Sequence, residues 1–141
     1  MPKGNTYHDP QFRYVDAYSG REVLRLTDYL GHSNHFYFTD PCWLPGTGDR
    51  SFVFTSDRDN QSNLFRYDLN TGLITQITDL QGEGRPGGCV STANNALYFG
   101  WKGAIHELNL ETLEERVLWE QTGSMKVRGR ANPTAASHSA R

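Results

Sequence analysis

Apolar residues in this chain come in short runs that alternate with polar ones, the period of half-buried β-strands rather than of helices. The clearest stretch is residues 51–78, SFVFTSDRDNQSNLFRYDLNTGLITQIT, which predicts three strands at 51–56, 63–69 and 73–78. Asn70-Thr71-Gly72 supplies the turn between the last two, where glycine accepts a left-handed backbone. The pattern occurs twice more. Upstream, Tyr14-Val15-Asp16-Ala17-Tyr18-Ser19-Gly20 leads into Val23-Leu24-Arg25-Leu26. Downstream, Ile105-His106-Glu107-Leu108-Asn109-Leu110-Glu111-Thr112 leads into Arg116-Val117-Leu118-Trp119. Asp16, Asp68 and Asn109 are equivalent, at spacings of about 52 and about 41 residues, the range of four-stranded propeller blades.

The resulting expectation is an all-β chain, a β-propeller fragment made of a half-blade and two four-stranded blades over residues 14–120. Residues 1–13, with Pro2, Gly4 and Pro10, read as an extended lead-in. Residues 14–28 give two strands, the half-blade. The first full blade takes an inner strand at 35–43, ended by Pro41 and Pro45, with Gly46-Thr47-Gly48-Asp49 turning into 51–56. The polar loop 57–62 reads as a solvated hairpin end, Asp57-Arg58-Asp59 included. The second blade takes strands near 88–91 and at 96–101, 104–109 and 114–119. Asn94-Asn95 and Lys102-Gly103 supply turns that need a left-handed residue. Residues 81–88 are rich in glycine but lack the Lys-Ser/Thr ending of a phosphate loop, so they read as a crossover between blades. A closed propeller needs at least four blades, which makes a piece of a larger propeller the expectation for 141 residues.

Charge and composition narrow the partners. All 16 acidic residues precede position 121, whereas Lys126, Arg128, Arg130 and Arg141 follow it. The blades are therefore net acidic, which argues against nucleic acid. Residues 121–141 hold almost no large apolar side chain and are expected to be a disordered basic tail. No apolar stretch is long enough to span a membrane and no apolar signal core follows Met1, so no membrane partner and a cytoplasmic location are the expectations. Cys42 and Cys89 lack metal-ligand spacing and read as small buried hydrophobes. Blade faces and strand edges left open by a partial propeller lead us to expect self-association.

The candidate chemistry lies in Leu30-Gly31-His32-Ser33-Asn34-His35-Phe36-Tyr37-Phe38, with Asp40 just after. This cluster precedes an inner strand, where the mouth of a propeller binds ligands. In a strand, His35 and Tyr37 share one face and Phe36 and Phe38 the other. One reading makes His32, Asn34 and His35 hydrogen-bonding groups of a pocket for a polar ligand. The other makes them strand-end caps. Two histidines do not complete a metal site, so no metal ligand is assigned.

The segments RLTDYLGHSNHFYFTDPCW, SFVFTSDRDNQSNLFRYDLNTGLITQITDL and LNLETLEERVLWE resemble the N-terminal part of bacterial oligogalacturonate lyases, seven-bladed propellers of a polysaccharide lyase family. The TSDR and NLF elements also resemble, more loosely, the repeats of TolB-type propellers, whose implied role is binding without catalysis. The lyase resemblance covers roughly residues 7–120 and implies β-elimination on oligogalacturonate, aided by manganese or a similar divalent ion. It carries over no metal ligand or catalytic residue to this chain, which is expected to be inactive alone. It does make His32, Asn34 and His35 contributors to a substrate pocket.

Overall fold

In the computed structural model, residues 2–122 are described, and they form strands joined by tight turns with one 3₁₀ turn at Arg58–Asn60. The strands are β1 (Thr6–His8), β2 (Phe12–Val15), β3 (Glu22–Arg25), β4 (Ser33–Asn34), β5 (Ser51–Ser56), β6 (Asn63–Asp68), β7 (Leu73–Gln76), β8 (Gly87–Ser91), β9 (Ala96–Trp101), β10 (Ala104–Asn109) and β11 (Glu115–Glu120). They pair antiparallel as three sheets, ordered β1-β7-β6-β5-β4, β11-β10-β9-β8 and β2-β3. The half-blade and two blades of the sequence pattern are these three sheets. The basic tail falls almost wholly outside the described residues.

The three equivalent turns are built alike. Asp16 accepts from the Ser19 amide at 2.8 Å, Asp68 from the Asn70 amide at 2.8 Å, and Asn109 from Glu111 and Thr112 at 2.8 and 3.0 Å. Four residues after each stands a left-handed residue whose amide closes the turn, Gly20 at φ 70°, Gly72 at φ 75° and Leu113 at φ 62°. An aliphatic residue there costs about 1–2 kcal/mol of backbone strain that glycine avoids. Lys102 and Gly103, at φ 45° and 77°, make the β9–β10 hairpin turn that the sequence implies.

Strand alternation sorts the first blade's side chains into two faces. Val53, Leu64 and Ile77 point one way and meet Val90, Leu97, Phe99 and Leu108 of the second blade. Phe54, Phe65, Tyr67 and Ile74 point the other way, with Phe52, Leu26 and Tyr7 against them. Each fully buried side chain of this size contributes ~1.5–3 kcal/mol, so the inter-blade cluster holds the blades together.

Five expectations need correction. Residues 1–13 are not merely a lead-in, because β1 joins the first blade as a fifth strand against β7, in register Tyr7 to Ile74. The inner strand at 35–43 is broken: β4 pairs with Ser56 and Thr55, and pairing resumes at Trp43 opposite Phe52. Between them Phe36 turns into the core while a turn closes from the Asp40 amide to the Tyr37 carbonyl at 2.8 Å, and Pro41 has no amide for a ladder. Phe36 is 5% exposed and Phe38 81%, so the two do not share a strand face. Arg58 is not solvated but 6% exposed, held between ring faces and a carboxylate. Cys42 and Cys89 are free thiols but only half-buried; burial pushes both thiols up, and the Asp40 charge adds to this at Cys89.

Candidate functional site

The loop that carries the histidines leaves the half-blade at Leu26 and enters β4, so it runs along one end of the first blade. Asp57, the residue after β5, reaches it from below. Its Oδ1 accepts the His32 amide at 2.5 Å, its Oδ2 lies 2.8 Å from His32 Nδ1, and its own amide donates to the His32 carbonyl at 3.2 Å. These bonds to His32 hold the Asp57 carboxyl below the usual carboxylate range. The imidazole itself is 80% exposed.

Three residues on, His35 Nδ1 donates to the Phe36 carbonyl at 2.5 Å. Asn34 pairs opposite Thr55 in β4. Asn34 and His35 together line a hollow of about 160 Å³ walled by Leu26, Phe52, Phe54 and Tyr67. His35 also borders a wider groove of about 560 Å³, with Tyr37, Phe38, Asp40, Trp43 and Phe52 around it. Trp43 meets Phe52 edge-on at 5.3 Å, and the Tyr37 and Phe38 rings lie 4.5 Å apart. Such a surface offers apolar ring faces to a cyclic ligand and a few polar groups at its border to orient it.

The structure thus unites two of the three predicted residues and sets the third apart. Asn34 and His35 share the hollow, while His32 turns to Asp57. Sequence reasoning missed Asp57 and Trp43. Asp57 stands 25 residues from His32, and no local pattern ties the two; the signal that existed was the glycine before His32. A Cβ on Gly31 would overlap Asp57 Oδ1, so the carboxylate sits where it does because residue 31 has no side chain.

The donor set also bears on a metal. Among the described residues no group of three or more His, Cys, Asp or Glu side chains is placed to hold an ion. His32 and His35 each commit Nδ1 to a different partner, and their rings do not converge on one point of coordination.

Comparison with known proteins adds to this geometry. A family described as oligogalacturonate lyase matches residues 1–134. The oligogalacturonide lyase of Pectobacterium atrosepticum is 32% identical over 123 residues, covering 85% of this chain and 31% of that protein. The oligogalacturonate lyase of Dickeya dadantii is 31% identical over the same length and shares. The chain therefore spans about a third of the length of the curated relatives it matches. Among solved structures, an oligogalacturonate lyase in complex with manganese superposes with a TM-score of 0.76 at 30% identity, over 85% of this chain and 32% of that one. An oligogalacturonate lyase from Vibrio parahaemolyticus gives 0.81 at 26% identity, over 92% and 34%. These neighbours are propellers, and the all-β arc described above is a fragment of that fold.

Proposed function

We propose, because this chain belongs to the oligogalacturonate lyase family, that it forms part of an enzyme that cleaves short acidic pectin fragments by β-elimination. In that reading His32, Asn34 and His35 contribute to the substrate pocket. The observation that carries it is the family match over residues 1–134, which takes in the whole histidine loop. The structural neighbour bound to manganese supports a divalent ion as cofactor of such an enzyme.

β-Elimination removes the proton on carbon 5 of the uronate and expels the glycosidic oxygen at carbon 4. The proton is weakly acidic, so the neighbouring carboxylate must be neutralised while a base takes it. A divalent ion supplies that neutralisation when bound. The described residues do not fit such an ion. What this chain does is bind. The Asn34 amide hydrogen-bonds hydroxyl or carboxylate oxygens at the end of the blade, and the free nitrogens of His32 and His35, whose Nδ1 atoms already donate, accept from sugar hydroxyls. Trp43, Tyr37 and Phe38 exclude water from one side of a sugar ring.

The test uses a full-length family member that carries the segment of residues 31–35. Alanine at the position of His32 or His35 lowers kcat/KM by about tenfold or more, the worth of one hydrogen bond to a polar ligand. The melting temperature stays within a few degrees. Unchanged kinetics in both variants, or loss of folding in both, refutes the pocket assignment.

A further inference from the structure

We propose that Asp57 is a positioning residue for His32, fixing which imidazole nitrogen carries the proton so that Nε2 is offered as an acceptor to a saccharide hydroxyl. This rests on the pocket reading above and names the contact that His32 makes in it. Asp57 engages His32 through both carboxylate oxygens, Oδ1 on the amide at 2.5 Å and Oδ2 on Nδ1 at 2.8 Å. A carboxylate held at both oxygens cannot turn away from the ring. The Asp57 amide returns a third bond to the His32 carbonyl, and the next residues, Ser33 and Ser56, pair in the β4–β5 ladder. Residue 31 is glycine where a side chain would push the carboxylate out.

An ionised carboxylate only accepts, so Nδ1 must donate to it. In the neutral ring Nε2 then carries the lone pair. With the side chain 80% exposed, the ring is open to solvent at the blade end. A strand-end cap needs none of this, because the backbone bonds alone would close the loop.

Two experiments separate the two ideas. In this chain, nitrogen-15 spectra of the imidazoles should show His32 protonated on Nδ1 in its neutral form. Asp57→Asn, whose amide can donate to Nδ1, should invert this to the Nε2-protonated form, as for a histidine whose orienting carboxylate becomes an amide. Gly31→Ala, which displaces the carboxylate without changing either group, should leave a mixture. His8 is the control and should not move. Finding His32 protonated on Nε2 in the unmodified chain overturns the proposal.

In the full-length family member, Asp57→Asn should lower kcat/KM for digalacturonate by about tenfold, yet cost nothing further when added to His32→Ala. An equal cost on both backgrounds makes Asp57 structural and overturns the proposal, though the pocket survives. If His32→Ala is itself without effect, the pocket reading loses His32 and the proposal falls with it, whatever the tautomer.

Discussion

Replacing Arg58 by methionine should release the N-terminal strand from the first blade. Arg58 Nη2 lies 2.6 Å from Asp9 Oδ2, and the two side chains are 6% and 8% exposed. The guanidinium also sits 4.8 Å from the Tyr7 ring centroid and 4.3 Å from that of Tyr29. Asp9 follows β1 directly, and Tyr29 lies on the loop from the half-blade, so one cation gathers three segments. Breaking a buried pair by removing one partner costs about 3–5 kcal/mol, because the other charge stays buried. Two features bring this case to the bottom of that range or below it. Asp9 keeps the Asp28 amide as a donor at 3.1 Å, and Arg58 Nε is buried without a partner, an orphan that methionine removes.

The expected loss is about 2–3 kcal/mol, or roughly 30- to 150-fold faster amide exchange. The amides to watch are Gly4, bonded to the Gln76 carbonyl, and Gln76, bonded to Asn5, both at 2.8 Å. Asp9→Asn should also open this contact, since it strands the cation between two rings. The double variant should recover about 1 kcal/mol or more relative to the sum, because each change removes the other's buried charge. Strictly additive losses, or singles within ~0.5 kcal/mol of the parent, would refute the view that this pair anchors the strand.

Three further outcomes follow from particular residues. Leu113→Gly should be about 1 kcal/mol more stable than Leu113→Ala, reversing the usual order of the two, because Ala keeps the strain at φ 62° while both lose the same packing; denaturant unfolding measures this, and the ordinary order would show that the turn is unstrained. The Asp57 carboxyl is held low, so its contribution to the loop is present above the unfolded carboxylate value of about 4 and is lost as pH falls through its lower folded value; the His32 amide resonance should titrate with an inflection below that value, and an inflection at or above it counts against the bond. Val117 and Leu118 of the edge strand β11 are 53% and 45% exposed, and Phe12, Tyr14 and Val15 of β2 are exposed as well; the chain should therefore sediment as concentration-dependent oligomers, and Val117→Lys should shift it towards monomer.

The blades were legible because their information is local. Strand alternation puts Val53 and Leu64 on one face and Phe54 and Phe65 on the other, and both faces are packed. The repeated turn was legible for the same reason: the side chain of Asp16, Asp68 or Asn109 bonds amides only two or three residues on. Reading failed where a residue answers to something distant. Residues 35–41 alternate well enough to pass for a strand, but Phe36 is drawn into the inter-blade core and the ladder breaks around it. Arg58 sits in a polar run that composition assigns to solvent, and Asp9, 49 residues earlier, makes it a buried anchor. Asp9 itself lay in a stretch read as a mere lead-in.

The candidate site shows both cases within five residues. Asn34 and His35 fall at the blade end because the strand order puts them there, and strand order follows from the repeat. His32 takes its chemistry from Asp57, which the chain delivers at the far end of the neighbouring strand. A histidine beside a glycine says little about protonation until the carboxylate that fills the glycine's empty volume is known. The proton on the His32 ring therefore answers to the residue that follows β5, and the property to measure at the loop is the one its own sequence could not specify, the position of that single proton.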